Sequence, residues 1–380
     1  MARKKTTPKR FATHVTAPSG ERLYFSASTK EELAEKVAKA KLEMGSGVDI
    51  GDRTTFREYA LLWARVYKEP RLRANSYATL KANLENHVIP AFGDTPLREI
   101  KPMHVQLFLN SMRGLSVSVQ RKCIQIADGV FRTAVANNIL MKSPMSQDDK
   151  PIETEKEKDV KPLTQEQSKV LLRALEGTRA YLFCLLALTL GLRRGELLGL
   201  MWSDIDFSTG FLTVTHNKTF LANANDAPVT EMLKSDAAHR RIPVPASVLE
   251  ALRQEQAGSN SPYVFSMQDG SSLTKSSFRR MWAAVEVRTA DKDRALGSTV
   301  PGGRNGPIEV LIDFECHPHQ LRHTCITQWV ESGMPFKRAQ YLAGHSTPNM
   351  TLRVYADYRH RSQEEEAARD MAAASAYLLS

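Results

Sequence analysis

Over residues 10–29 the chain alternates polar with apolar or aromatic positions, RFATHVTAPSGERLYFSAST, on either side of a Pro-Ser-Gly turn. That period of two predicts a β-hairpin. The following KEELAEKVAKAKLEM switches to helical spacing, so the first 51 residues are expected to hold a small sheet-plus-helix unit behind a basic leader. From Thr54 to Met145 the spacing is helical throughout, in four runs: TTFREYALLWARVY, SYATLKANLENHVIPAF, KPMHVQLFLNSM and VSVQRKCIQIADGVFRTAVANN. Thr54 is the expected N-cap of the first, Pro90 and Gly93 break the second, and Pro102 suits the first turn of the third. Four helices of this size can bury a core unaided.

Residues 146–161, SQDDKPIETEKEKDVK, are polar and almost free of large apolar groups, the composition of an exposed linker. Beyond it, LTQEQSKVLLRALEG predicts a helix starting at Thr164. A long apolar run follows from Ala180 to Leu192, broken by Thr189 and too short to span a bilayer. FLTVTHNK and HRRIPVP read as strands, with YVFS adding a short piece. The expected division is 1–51, 52–146, a linker over 147–161, and a third unit over 162–380 that mixes helices with a few strands.

Charge narrows the class of partner. The chain of 380 residues carries 52 basic and 42 acidic side chains, a formal +10, which favours a polyanion. The excess is +4 over residues 1–50 and +6 over residues 51–150. Five of the first ten residues are basic but no apolar stretch follows them, so the leader is not a secretory signal. Cys123, Cys184, Cys316 and Cys325 are widely spaced, which disfavours a zinc site or a disulfide framework. A soluble cytoplasmic protein is expected.

Four segments of the third unit hold polar residues that core packing does not require. In TLGLRRGELLGLMWSDIDF a glycine turn ends an apolar helix and delivers Arg193 and Arg194, suited to fork the oxygens of a phosphate unless Glu196 pairs with them instead. In MLKSDAAHRRIPVP, Lys234 falls in a loop before the Arg240–Pro243 strand. In HPHQLRHTCITQWVESG, a helix begun near Pro318 puts His319 and Arg322 on one face, with His317 and His323 as competitors. In YLAGHSTPNMTLRVYADY, His345 follows a glycine, Tyr355 lies ten residues on, and Tyr358 follows it by one helical turn. Together these residues form a metal-free phosphoryl-transfer set. Arginines would neutralise a pentacoordinate transition state, a tyrosine would attack, a lysine would protonate the leaving 5′-oxygen, and a histidine would serve the tyrosine side.

The segments GLRRGELLGLMWSDI, HPHQLRH and LAGHSTPNMTLRVY resemble the signature boxes of the tyrosine recombinase (phage integrase) family. The resemblance implies a multidomain fold: a β-sheet-plus-helix arm-binding domain, an all-α core-binding domain, and a mixed, mainly helical α/β catalytic domain. It implies the catalytic set Arg193, Lys234, His319, Arg322 and His345, with Tyr355 as nucleophile and Arg194 at a variable position. The implied activity is integration and excision of a mobile element through a 3′-phosphotyrosyl intermediate, without cofactor, metal or ATP. Implied partners are double-stranded DNA at core and arm sites, a homotetramer on that DNA, and accessory excision and DNA-bending proteins, with no membrane. The helix-prone tail RHRSQEEEAARDMAAASAYLLS would pack onto a neighbouring protomer. Competing readings are a dimer resolvase of the same family, a type IB topoisomerase-like enzyme, and a DNA-binding regulator without catalysis, which would show gaps in the set.

Overall fold

The computed structural model describes residues 10–16, 22–45, 52–146, 148–152, 161–220, 224–231, 240–302, 306–345, 347–349, 351–352, 354 and 371. The chain divides into two compact units, 1–158 and 159–380.

In the first unit, β1 (Phe11–Thr16) and β2 (Arg22–Ala27) pair antiparallel, with Phe11 opposite Ala27 and Thr16 opposite Arg22. The hairpin is followed by α1 (Lys30–Gly45), whose first turn is capped by the Thr29 hydroxyl accepting from the Glu32 N–H at 3.1 Å. Next comes α2 (Phe56–Trp63), extended to Lys68 by a wider turn. Its N-cap is Thr55 rather than Thr54. Only Thr55 has a glutamate at the third helical position, and Glu58 accepts from the Thr55 N–H at 3.0 Å while the Thr55 hydroxyl accepts from Glu58. Thr54 instead turns its hydroxyl to Asp52, at 2.6 Å.

The second run forms α3 (Ala74–Asn83), a wide turn over Leu84–Val88, and α4 (Ile89–Phe92). The chain stays helical through Pro90, which sits in the first turn of α4 where an N–H is not needed, and Gly93 ends it. Two further helices complete the unit, α5 (Pro102–Ser111) and α6 (Val117–Ala136). Their shared core is aromatic: Phe56 lies 4.7 Å from Phe92 and 5.3 Å from Phe131, ring centre to ring centre. Trp63 is buried beside them and spends its indole N–H on the Thr133 hydroxyl at 3.1 Å, so the core carries no polar penalty there.

The second unit begins with α7 (Gln165–Ala174), capped by Thr164 and Gln167 in reciprocal bonds, then α8 (Arg179–Leu190) and α9 (Arg194–Gly199). Among the described residues seven short strands and four helices follow: β3 (Ile205–Asp206), β4 (Phe211–Val214), β5 (His216–Lys218), β6 (Val229–Glu231), β7 (Arg240–Pro243), α10 (Ala246–Ala257), α11 (Lys275–Glu286), β8 (Thr299–Val300), β9 (Ile308–Glu309), α12 (Pro318–Glu331) and α13 (Phe336–Ala343). These described strands pair antiparallel as β3-β4-β7, β5-β6 and β8-β9. The expected FLTVTHNK strand is split at Thr215, whose hydroxyl donates to Asp204 at 2.5 Å, and the YVFS piece contributes two isolated bridges, from Tyr263 to Met201 and from Ser266 to Ser272.

Helix α8 is the axis of this unit. Eight of its twelve residues are buried, because an all-round apolar helix is stable only when other elements enclose it. It packs against α7, α10, α11 and α12, and Phe183 at its centre touches the rings of Phe265, Phe278 and Trp282. No described helix is long and apolar enough to cross a membrane.

Candidate active site

Two glycines end helices at the site. Gly191 closes α8 and Gly344 closes α13, each at φ 60°, a conformation that costs other L-residues a clash. At Gly191 a Cβ would also meet the Trp329 ring at 3.0 Å. The sharp exit from α8 puts Arg193 at the N-cap of α9. There its backbone N–H and Nη1 both donate to the Glu196 carboxylate at 2.8 Å, and Nη2 donates to the Gly344 carbonyl at 2.5 Å.

From α12, Pro318 fills the first helical position, and His319 and Arg322 follow three residues apart on one face. His319 remains exposed, whereas Arg322 is buried and donates to the Gly191 and Ala343 carbonyls. From β7, the buried Arg240 forks Glu196 through Nη1 and Nη2, at 3.1 and 2.8 Å, and donates from Nε to the Leu342 carbonyl at 2.7 Å. Three successive carbonyls at the end of α13, those of Leu342, Ala343 and Gly344, therefore each take one arginine. A helix C-terminus leaves such carbonyls without partners and carries a partial negative charge, which explains why three cations can converge on it. His345 emerges from that end, buried, with Nδ1 2.7 Å from the Thr351 hydroxyl.

The charges follow from these contacts. Burial opposes ionisation of Glu196, but the hydrogen bonds and charge of Arg240, then the charges of Arg193 and Arg322, outweigh it and hold the carboxyl at about 2. Burial, aided by Arg193, pulls Arg322 down to about 9, so it remains a cation at neutral pH. Loss of water around the ring, then Arg322, Arg193 and Arg240, brings His345 down to about 4. His319 is lowered too, first by the partial loss of water around its ring and next by Arg322. Both imidazoles are thus neutral near pH 7, able to accept a proton from a phenol.

A stability prediction follows for His345. Between pH 6.5 and about 4 the unfolded chain binds a proton at this residue that the folded chain does not, so its contribution to stability falls as pH drops through that window. The urea midpoint of the His345→Gln chain is expected to fall less than that of the parent across the same range, and parallel curves would show that His345 is not the source.

Of the expected residues, the structure brings Arg193, Arg322 and His345 together, with His319 on the same face of α12 as Arg322. Lys234 and Tyr355, and Tyr358 with them, lie outside the described residues. Arg194 is exposed, its guanidinium 5.8 Å from the Phe278 ring. His317 acts at the N-cap of α12, where its N–H reaches the Gln320 side chain at 3.2 Å. Glu196, weighed as a competitor for an arginine, instead bridges two of them and leaves both in place. Arg240 and Thr351 were missed; a buried strand arginine and a threonine six residues past a histidine carry no sequence pattern of their own.

Lys218, on β5, is a described lysine near α9. It is fully buried, and its Nζ is taken up by Asp226 at 2.8 Å and the Ser272 hydroxyl at 2.6 Å. Saturated in this way, it holds structure. Asp226 is two-thirds exposed and can be rehydrated alone, whereas Lys218 cannot. Asp226→Ala is therefore expected to destabilise the chain by about 1–3 kcal/mol, and Lys218→Met by less, since only the first strands a buried charge. Urea unfolding of both variants checks the order.

Residues 161–362 match the Phage integrase family, and residues 55–113 match the Phage integrase, N-terminal SAM-like domain. The chain is 26% identical over 287 residues to the tyrosine recombinase XerC-like protein of Caldanaerobacter subterraneus subsp. tengcongensis, covering 67% of each. It is 24% identical over 332 residues to the transposase from transposon Tn916 of Enterococcus faecalis, covering 85% of this chain and 79% of that protein. Among solved structures, the Tn1549 transposon integrase in complex with a circular intermediate DNA matches with a TM-score of 0.65 at 21% identity, over 82% of this chain and 99% of that one. A lambda integrase tetramer bound to a Holliday junction matches with a TM-score of 0.57 at 16% identity, over 93% and 96%. The family match spans more than half of the chain and contains α7 to α13 with the arginine cluster, so the chain belongs to the phage integrase family, as an integrase of the tyrosine recombinase kind that cleaves and rejoins DNA.

Proposed function

We propose that this integrase moves a mobile element between DNA sites, with Tyr355 attacking a phosphate held by Arg193 and Arg322. The observation that carries the reading is the convergence of those two guanidiniums on the end of α13, beside His345. Each has five N–H donors and spends two on the protein, leaving three for the non-bridging oxygens of a phosphodiester. The Tyr355 oxygen forms a bond to phosphorus as the bond to the 5′-oxygen breaks; Lys234 supplies the proton that the leaving oxygen takes, and His345 or His319 receives the phenol proton. The resulting 3′-phosphotyrosyl ester keeps the energy of the phosphodiester, so a 5′-hydroxyl of a partner strand can reverse the step without ATP.

Residues 1–51 are proposed to read arm-type sites, 52–146 to hold core DNA, and 162–380 to cut it, within a homotetramer in the cytoplasm whose direction accessory excision and DNA-bending proteins set. Charge supports this division of labour. The basic excess lies entirely before residue 151, since 27 basic and 27 acidic residues follow. Affinity for DNA is expected to fall about 10³-fold or more between 50 and 200 mM salt, and a flat salt response would count against phosphate contacts by the first 150 residues. The deciding experiment incubates the full chain in EDTA with nicked duplexes spanning the ends of the element that encodes it, followed by a denaturing gel. A covalent protein–DNA band supports the mechanism; its absence on DNA that the chain binds removes the catalytic reading in favour of a DNA-binding regulator.

A further inference from the structure

We infer that Arg240 is a positioning residue for strand cleavage: it fixes Glu196 and the end of α13 so that Arg193 and Arg322 face one phosphate. The inference rests on the mechanism proposed above and adds a residue to it. Arg240 is 1% exposed and sits on β7 opposite Val214. Two of its N–H groups fork Glu196 and a third holds the Leu342 carbonyl, so a single side chain ties β7 to the start of α9 and to α13. Glu196 passes the constraint on, because the same two carboxylate oxygens accept from the Arg193 N–H and Nη1. Arg322 shares the α13 end with Arg240, at the adjacent carbonyl. Arg240 is thus bonded to the groups that orient both phosphate-binding arginines.

Charge gives a second argument. Burying a third guanidinium beside Arg193 and Arg322 costs repulsion that a strand needing only an apolar residue would avoid. Three guanidiniums against the Glu196 carboxylate leave a formal excess of two positive charges. A phosphodiester attacked by a phenolate carries two negative charges at its pentacoordinate stage. Without Arg240 the excess halves, and Glu196 is left to compete for Arg193.

The test uses the full chain in single-turnover cleavage of the nicked duplexes, at saturating DNA, from pH 5 to 9. Arg240→Met is expected to bind DNA as the parent does but to form the Tyr355 adduct about 100-fold more slowly, the scale of a small misplacement of reacting groups. Its rate should also fall more steeply than the parent's on the acid side of neutrality, because Glu196 loses its strongest partner and becomes protonated. The groups facing Glu196 are Arg193 from its own helix, Arg240 from β7 and Arg322 from α12, with His319 and His345 the titratable neighbours of those arginines. Arg240→Met combined with Glu196→Gln separates them: the acid loss beyond the parent's should vanish there, and an extra loss that persists belongs to a histidine and overturns the assignment. Arg240→Lys keeps the charge but cannot fork a carboxylate, so it should remain about 10-fold slow even where the Met variant folds poorly. Either Arg240→Met or Arg240→Lys at parental rate overturns the inference. A parent chain that forms no adduct at all overturns the recombinase mechanism itself, which distinguishes the two failures.

Discussion

Tyr355→Phe is expected to abolish covalent attachment to DNA while leaving DNA binding unchanged. The substitution removes one oxygen, the only atom of the side chain that can bond to phosphorus, and keeps the ring. Among the described residues the charged groups of the cluster cannot replace it: Arg193, Arg240 and Arg322 are cations, and Glu196 is held ionised but locked between two of them. The phenol must also lose its proton. His345 and His319 are both drawn below their ordinary values by loss of water and by Arg322, so both are free to take a proton at neutral pH. The measurement is the denaturing-gel adduct formed by parent, Tyr355→Phe and Tyr358→Phe chains on one nicked substrate. Persistence of the adduct in Tyr355→Phe, with loss in Tyr358→Phe, would move the nucleophile three residues along the chain.

What the sequence discloses follows a physical divide. Local rules are written in neighbouring residues, so the hairpin over residues 11–27, the helices capped at Thr164 and begun at Pro318, and the turn at Gly191 were all legible. The cap at Thr55 was one residue off because the decisive bond comes from Glu58, three positions on. Pro90 misled because a proline is tolerated in the first turn of a new helical segment. Helices α10 and α11 lie on either side of YVFS, where the pattern indicates only that helices alternate with strands and marks no helix bounds. The site divides in the same way. Arg193, His319, Arg322 and His345 stand in compact motifs with recognisable spacing. Arg240 is legible only through partners 44 and 102 residues away, Glu196 and Leu342, which no local pattern links.

Arg322→Ala and Arg193→Ala are both expected to slow adduct formation by about 10³-fold or more, but only Arg322→Ala should also destabilise the fold. Losing one preorganised donor to a developing oxyanion costs on the order of 10²–10³, and each of these residues offers a fork rather than one donor. Their structural duties differ. Arg322 is 2% exposed and satisfies the Gly191 and Ala343 carbonyls where α8 and α13 end, so its removal leaves buried acceptors at about 1–3 kcal/mol apiece. Arg193 has a side chain 36% exposed, and Arg240 still holds Glu196 when Arg193 is gone. Urea unfolding should therefore show a lowered midpoint for Arg322→Ala and a nearly parental one for Arg193→Ala, while both lose cleavage. Arg194→Ala serves as the comparison, because Arg194 is exposed and leans on Phe278. Near-parental cleavage by Arg193→Ala together with loss in Arg194→Ala would transfer the phosphate-binding role to Arg194; it would also require α9 to turn its first residue toward the end of α13, which the bonds from Arg193 to Glu196 and Gly344 oppose.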